Sequence, residues 1–349
     1  QYPAFARGAN PIEIFTGVSI LALGILRVPV TLGDLELIAL PLGALIAVGV
    51  GIAWATRAAF TPTAARDSAA TAAQIALVFA VIAFLLSVIF RIGGAEPVRA
   101  SAISSVVWAF LWAWLFSYLA LARGGRSWRQ VVAATSERLA TRSRTLAAGI
   151  GGGAVMLTTA FLLGAAAVLL WLIVVLASGE LHKSFSIGDA LAAVLYLAAF
   201  LPNVVIAVIA LSLGAPVLRG AQVGIGGNAI GRIQEVSLLD WPGSMPWYAF
   251  LLLAIPIVTS LVGGMWQGRA HPQAPMWRSL LMAATIFSVG LALLGWLGET
   301  RIGAGLAGHK GLARVAVSPG WTFVAAMIWS TVGGWLGWEL GHRWGGSRA

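Results

Sequence analysis

The sequence predicts an all-α protein, a polytopic transmembrane helical bundle, on three observations. The chain of 349 residues is 59% hydrophobic, with a mean hydropathy of +0.91. Only 10% of its residues are charged, whereas a soluble domain carries about a quarter. Apolar stretches of about 20 residues, the length a bilayer crossing needs, recur from one end to the other. We read eight firm spans at Leu35 to Ala55, Thr71 to Ile92, Ala100 to Ala122, Gly152 to Ala177, Ala190 to Leu213, Pro246 to Trp266, Trp277 to Leu297 and Trp321 to Leu340. A ninth N-terminal candidate, Ile12 to Val30, contains Glu13 and Arg27 and reads as an interfacial helix or the second half of a span. No linker separates two domains, so 1–349 is expected to be a single bundle. The first residue is Gln1 rather than methionine, which leads us to expect sequence upstream of it.

Charge and special residues exclude much. The net charge of +10 lies in short loops between spans, where basic residues meet anionic headgroups. The lipid bilayer is therefore the expected partner, and nucleic acid is not. With no cysteine there is no disulfide, thiolate metal site or cysteine nucleophile. His182, His271, His309 and His342 sit in loops or at a span end and form no HExxH pair, so no metal is assigned. Glu180, His182, Lys183 and Asp189 share one loop, which is ordinary for polar residues. Proton relays and catalytic acids in membranes need titratable groups facing the bundle interior, and the spans offer almost none. No catalytic residue and no cofactor are assigned.

Orientation follows from the basic residues of alternate loops. The set with Arg57, Arg66, the arginines from Arg123 to Arg144, Arg219, Arg232, Arg301, Lys310 and Arg314 outweighs the set with Arg27, Arg91, Arg99, Lys183, Arg269, Arg278, Arg343 and Arg348. The first set is expected in the cytoplasm and the C-terminus outside, in a multi-pass cell-membrane protein. Most of the bias comes from 126–146, read as a basic amphipathic interfacial helix. There Trp128, Val131, Val132, Leu139 and Leu146 fall within about 100° on a helical wheel, flanked by Arg129, Arg138 and Arg142. Such a helix lies in the headgroup plane; docking of a soluble partner is the alternative.

The fifth and sixth spans carry prolines, at Pro202-Asn203 and at Pro256, and enclose a glycine-rich loop over 214–245. Interrupted helices around such a loop point to a binding site in transporters and channels. Pro202, Asn203, Gly224, Gly226, Gly227, Asn228 and Pro256 are the candidate binding residues, against ordinary kinks and a plain loop. Gly224, Gly226 and Ala229 fit a relaxed dinucleotide pattern, but a span rather than a strand is expected before them, which removes its context. The last span has Gly333, Gly337 and Gly341 on one face, a small-residue seam for packing inside the bundle or for a homodimer or partner helix. Glu339, near the end of that span, is within reach of the interface. Trp241, Trp247, Trp266, Trp277, Trp296 and Trp321 fall near span ends as an aromatic belt requires. Trp108, Trp112 and Trp114 lie deeper and read as packing or as a pocket for a hydrophobic ligand.

Two stretches, RVPVTLGDLELIALPLGALIAVGVGIAW at the first span and the segment from Phe200 to Pro256 containing FLPNVVIAVIALSLGAPV and LLLAIP, resemble multi-pass actinobacterial membrane proteins labelled streptophobe family. Arg232, Glu235 and Asp240 depart from that family's small-residue loop pattern. The resemblance implies a helical bundle without an assigned activity. The expectation is thus a non-enzymatic membrane protein, an accessory or assembly subunit of a membrane complex. The alternative is a transporter or channel for a small or apolar solute.

Overall fold

The computed structural model describes residues 30–32, 35–38, 42–59, 65–89, 98–100, 102–123, 143–177, 187–225, 228–230, 234–238, 247–306 and 309–345. Most of them are helical. The helices are α1 (Leu42–Ala59), α2 (Ala65–Ile89), α3 (Ala102–Ala122), α4 (Arg144–Ala177), α5 (Ile187–Ser212), α6 (Ala254–Ala270), α7 (Met276–Leu297) and α8 (Pro319–Gly345), with a 3-10 turn at Trp247–Leu253 before α6. Among the described residues six stretches are long and apolar enough to cross a membrane, on α1, α2, α3, α4, α6 with its 3-10 turn, and α7. The ninth candidate span, apart from Val30, lies outside the described residues. So do Glu180, His182, Lys183, and 126–146 up to residue 142, with Trp128, Arg129, Arg138 and Arg142.

Strands are the main departure from an all-α chain. They are β1 (Val30–Leu32), β2 (Leu35–Ile38), β3 (Val98–Ala100), β4 (Val217–Ile225), β5 (Asn228–Ile230), β6 (Gln234–Val236), β7 (Thr300–Leu306) and β8 (His309–Val317). Leu35–Ile38, read from sequence as the start of the first span, is strand β2, and the helix opens only at Leu42, directly after Pro41 in the sequence. Leu32 pairs with Leu35 across Gly33-Asp34, and Ile225 pairs with Asn228 across Gly226-Gly227. Gly-Asp and Gly-Gly between two apolar runs are signatures of two-residue hairpin connections. Within the glycine-rich segment 214–245, read as a loop, residues 217–225, 228–230 and 234–236 are strand.

Where one bundle is expected, the chain divides into two compact units. The first comprises Gln1–Ser127, Ala221–Arg232 and Thr300–Arg314. It holds α1 to α3 and the greater part of a sheet in the order β3-β1-β2-β7-β8-β4-β5. The pairs with resolved register, β1 with β2 and β3, β2 with β7, and β4 with β5 and, off that order, with β6, are antiparallel. Helix packing here is built on small side chains every third or fourth residue. Ser68, Ala72, Ala76, Ala80, Ala83 and Ser87 of α2, and Ser105, Ala109, Ala113, Ser117 and Ala120 of α3, are all buried. Ile52 of α1 joins Ala76 and Ala113 in one cluster, and Thr56 Oγ1 lies 3.2 Å from Ser117 Oγ.

The second unit comprises Trp128–Gly220, Ile233–Glu299 and Val315–Ala349. Its core gathers Met156, Ala160, Val168, Val205, Ile209, Leu213, Ile255, Phe287, Leu291 and Ala326 from α4 to α8. Local chemistry sets the helix ends. Gly214 (φ 82°) closes α5, with Gly214 N–H on Leu211 O and Ala215 N–H on Ala210 O, the paired bonds of a Schellman cap that turns the chain into β4. Pro275 caps α7 in extended conformation, Gly298 ends it, and Pro319 opens α8.

Candidate functional site

The glycines of α8 meet α6. A Cβ on Gly333 would collide with the Ser260 side chain, on Gly337 with the Leu261 carbonyl, and on Gly341 with the Met265 carbonyl. The fit is reciprocal. A Cβ on Gly264 would meet the Gly334 carbonyl, and on Gly268 the Trp338 carbonyl at 2.6 Å. Lipid gives helices no hydrophobic reason to associate, so close backbone approach over small residues supplies the attraction. The Gly333, Gly337 and Gly341 face is thus occupied within the chain by α6. It is the most extensive helix contact in the unit.

Contact order along the helices fixes their directions. Partners on α6 and α8 rise together from Ser260 and Gly333 to Gly268 and Trp338, so these two helices run parallel. Gly149, Gly153 and Gly290 place α4 beside α7 in the same direction, since they meet Met282, Ile286 and Leu157 in turn. Ala148 and Gly152 meet Gln267 while Met156 meets Gly263, so α4 is antiparallel to α6. The start of α4, the end of α6, the start of α7 and the end of α8 therefore share one end of this unit. Arg144 Nη1 donates to Gln273 Oε1 across it. The exposed Arg144, Arg269, Arg278 and Arg343 all fall at this basic end. Alternate-loop counting assigned Arg144 and Arg269 to opposite faces; in the structure these two residues lie at one end of the unit.

The reason is α5. Asn203 Nδ2 donates to Gly298 O at the end of α7 (3.2 Å), and Ser318 N–H donates to Pro216 O just before α8 (3.2 Å). Both anchors are at the end opposite the arginines. The chain leaves α4 and enters α6 at that same end, with α5 between them. Ala190 to Leu213, read as a full span, falls on helix α5 apart from its last residue, with Pro202 inside the helix.

The other candidate binding residues fall in different units. Pro256 lies in the first turn of α6, directly after the 3-10 turn. It therefore sits at the change from 3-10 to α-helix within the stretch Phe250–Ala270. Ser260 Oγ donates back to Pro256 O. Gly224 pairs with Ala229 and Asn228 with Ile225 in the first unit, while Gly226 and Gly227 lie outside the described residues. Pro202, Asn203 and Pro256 belong to the second unit.

Gln267 was not singled out from the sequence. It is fully buried on α6, and its Nε2 donates to Ala148 O of α4 (2.9 Å) and Ser279 O of α7 (3.2 Å). Its Oε1 and the nearby Ser279 Oγ are buried without a hydrogen-bond partner among the described residues. A Cβ on Gly152 would strike the carboxamide, so the glycine is what admits it. The signal was there as an amide inside an apolar span beside the small-residue run Gly151-Gly152-Gly153. Thr259 Oγ1 and Ser288 Oγ are likewise buried without a partner among the described residues, while other hydroxyls in the helices turn to their own backbone. Ser87, Thr158, Ser212, Ser260, Thr285, Thr322 and Ser330 each bond a carbonyl three or four residues earlier.

In the first unit Trp108, Trp112 and Phe116 stack along α3 at 6.0 and 6.3 Å, and Trp114 stacks on Tyr118 at 5.5 Å. Phe116 fills the place a Cβ of Gly49 on α1 would need. Phe116 and Trp114 pack against the cluster of Ile52, Ala76 and Ala113. Among the described residues no group of His, Cys, Asp and Glu could hold a metal ion.

Fold and site define a class: a mostly helical membrane protein with tightly stitched helices and short strands between them. Comparison with protein families, curated proteins and solved structures gives no match.

Proposed function

We propose that this chain is a non-enzymatic, multi-pass integral membrane protein that acts as an accessory or assembly subunit of a membrane complex. The observation that carries the reading is the disposition of its intramembrane polar groups. Ser87, Ser212, Ser260, Thr322 and Ser330 bond their own helices, Gln267 joins three helices, and the glycine face is filled by α6. A bundle so engaged is suited to holding a shape for a partner. The first experiment is purification from native membranes in mild detergent, with mass spectrometry of co-migrating proteins. A stoichiometric partner is the expected result. A chain that is always alone, by size and by cross-linking, counts against the reading.

We further propose seven crossings, α1 to α4 and α6 to α8, with α5 re-entrant. By the positive-inside rule the end bearing Arg144, Arg269, Arg278 and Arg343 is cytoplasmic, which puts the C-terminus inside rather than outside. A C-terminal reporter that is active only in the cytoplasm tests this directly. One observation favours a second function, transport of a small or apolar solute. Asn203, beside Pro202, is tied to the terminal carbonyl of α7, as befits a half-helix bordering a pathway. Under that reading Asn203→Leu abolishes flux in proteoliposomes without unfolding the bundle, and unchanged flux excludes it.

A further inference from the structure

A groove of about 420 Å³ runs along the outer face of α6, lined by Val262, Met265, Trp266, Arg269 and Ala270. The spacing i, i+3, i+4, i+7, i+8 makes this one helical stripe, apolar at its deep end and cationic at its mouth. Val262 and Arg269 are seven residues apart, which is about 10 Å along the axis. That is the vertical separation between the upper acyl carbons of a phospholipid and its phosphate.

The mouth is built rather than incidental. The Arg269 guanidinium lies over the Trp344 ring of α8, 5.4 Å from its centroid. His271 packs edge-on against Trp266 at 5.5 Å. Burial lowers the pKa of His271, so it is uncharged at neutral pH and Arg269 supplies the charge at the mouth. Arg144, Arg278 and Arg343 stand exposed at the same end of the unit. Arginine recognises a phosphate through two parallel hydrogen bonds, and tryptophan at headgroup depth marks the level at which that phosphate sits.

We propose that this groove is a binding site for one anionic glycerophospholipid, with its phosphate on Arg269 and an acyl chain against Met265 and Val262. A free anion has no use for the apolar floor, and a neutral lipid gains less from the cationic mouth. The site is independent of which function the bundle performs.

The test uses the full chain in mild detergent, delipidated and then titrated in native mass spectrometry with phosphatidylglycerol, phosphatidylcholine or inorganic phosphate. The expected result is retention of one phosphatidylglycerol about tenfold more strongly than phosphatidylcholine. Arg269→Gln removes most of that preference, Arg269→Lys keeps part of it, and Val262→Trp blocks the lipid by filling the floor. Arg278→Gln, outside the groove, leaves binding unchanged. Equal retention of both lipids overturns the proposal, as does displacement of phosphatidylglycerol by inorganic phosphate. An Arg278→Gln loss as large as that of Arg269→Gln also overturns it, by assigning the preference to the whole basic end. Should Arg269→Gln fail to fold, Val262→Trp carries the test, because it retains every charge; retention of lipid by a folded Val262→Trp protein then overturns the site.

Discussion

The α2–α3 pair of the first unit and the α6–α8 pair of the second both pack over small residues, but at different depths of contact. Between α2 and α3 the buried positions are alanines and serines, so side chain meets side chain. Between α6 and α8, Gly264, Gly268, Gly337 and Gly341 face carbonyl oxygens, so backbone meets backbone. The first kind of contact can yield by a rotamer or a small shift. The second cannot, because a carbonyl in a helix has nowhere to go. Glycine at helix interiors costs roughly 0.5–1 kcal/mol relative to alanine, so its repeated use along this contact identifies the closer approach as the structural requirement.

The largest effect expected is for Gly337→Leu, whose side chain would enter the Leu261 carbonyl. We expect no monodisperse protein on size exclusion in mild detergent, a loss of more than about 4 kcal/mol. Ala76→Leu, the matching change in the α2–α3 contact, should cost about 1–3 kcal/mol, as overpacking does, and leave folded protein with a lowered melting temperature. If the two variants behave alike, the distinction between the contacts fails. Gln267→Leu removes two interhelical hydrogen bonds and should lower stability by about 1–2 kcal/mol, read from thermal unfolding in the same detergent.

How much of this the sequence disclosed depends on the kind of signal. Apolar length located the helices well, and the spacing of Gly333, Gly337 and Gly341 marked a true contact face. Length alone does not distinguish a re-entrant apolar helix from a crossing one at α5, because the two have the same composition. The strands were hidden for a related reason. Gly33-Asp34 and Gly226-Gly227 are hairpin signals, but each lies between runs that read equally well as the edge of a span or as a flexible loop. Alanine contacts on α2 and α3 were invisible because alanine is frequent on every face of such helices.

The smaller predictions sharpen the comparison. Ser117→Ala removes the Thr56 contact between α1 and α3 and should cost about 0.6 kcal/mol, measurable as a small shift in melting. His271 gives a pH effect that belongs to the second unit alone. Its pKa is lowered in the folded chain by burial, so the folded state holds its proton less well than the unfolded state does. Its contribution to stability is complete above the ordinary histidine value and is lost as the pH falls through the lowered one. A modest fall in melting temperature on acidification, flattened by His271→Phe, is the expected result.

Helix α4 has a consequence for the membrane itself. Its 34 residues span about 51 Å, and after Arg144 the sequence through Ala177 contains no charged residue. A hydrocarbon layer is about 30 Å thick, and tilts of about 40° are the upper end of what helices adopt, which still leaves roughly 39 Å to accommodate. Tilting alone cannot match this helix to a flat bilayer. Lipid must thicken around it, or the exposed run of Leu169, Leu170, Trp171, Ile173 and Val174 must emerge. Hydrophobic mismatch is therefore a fixed property of the chain, and bilayer thickness is a variable to which its stability should respond.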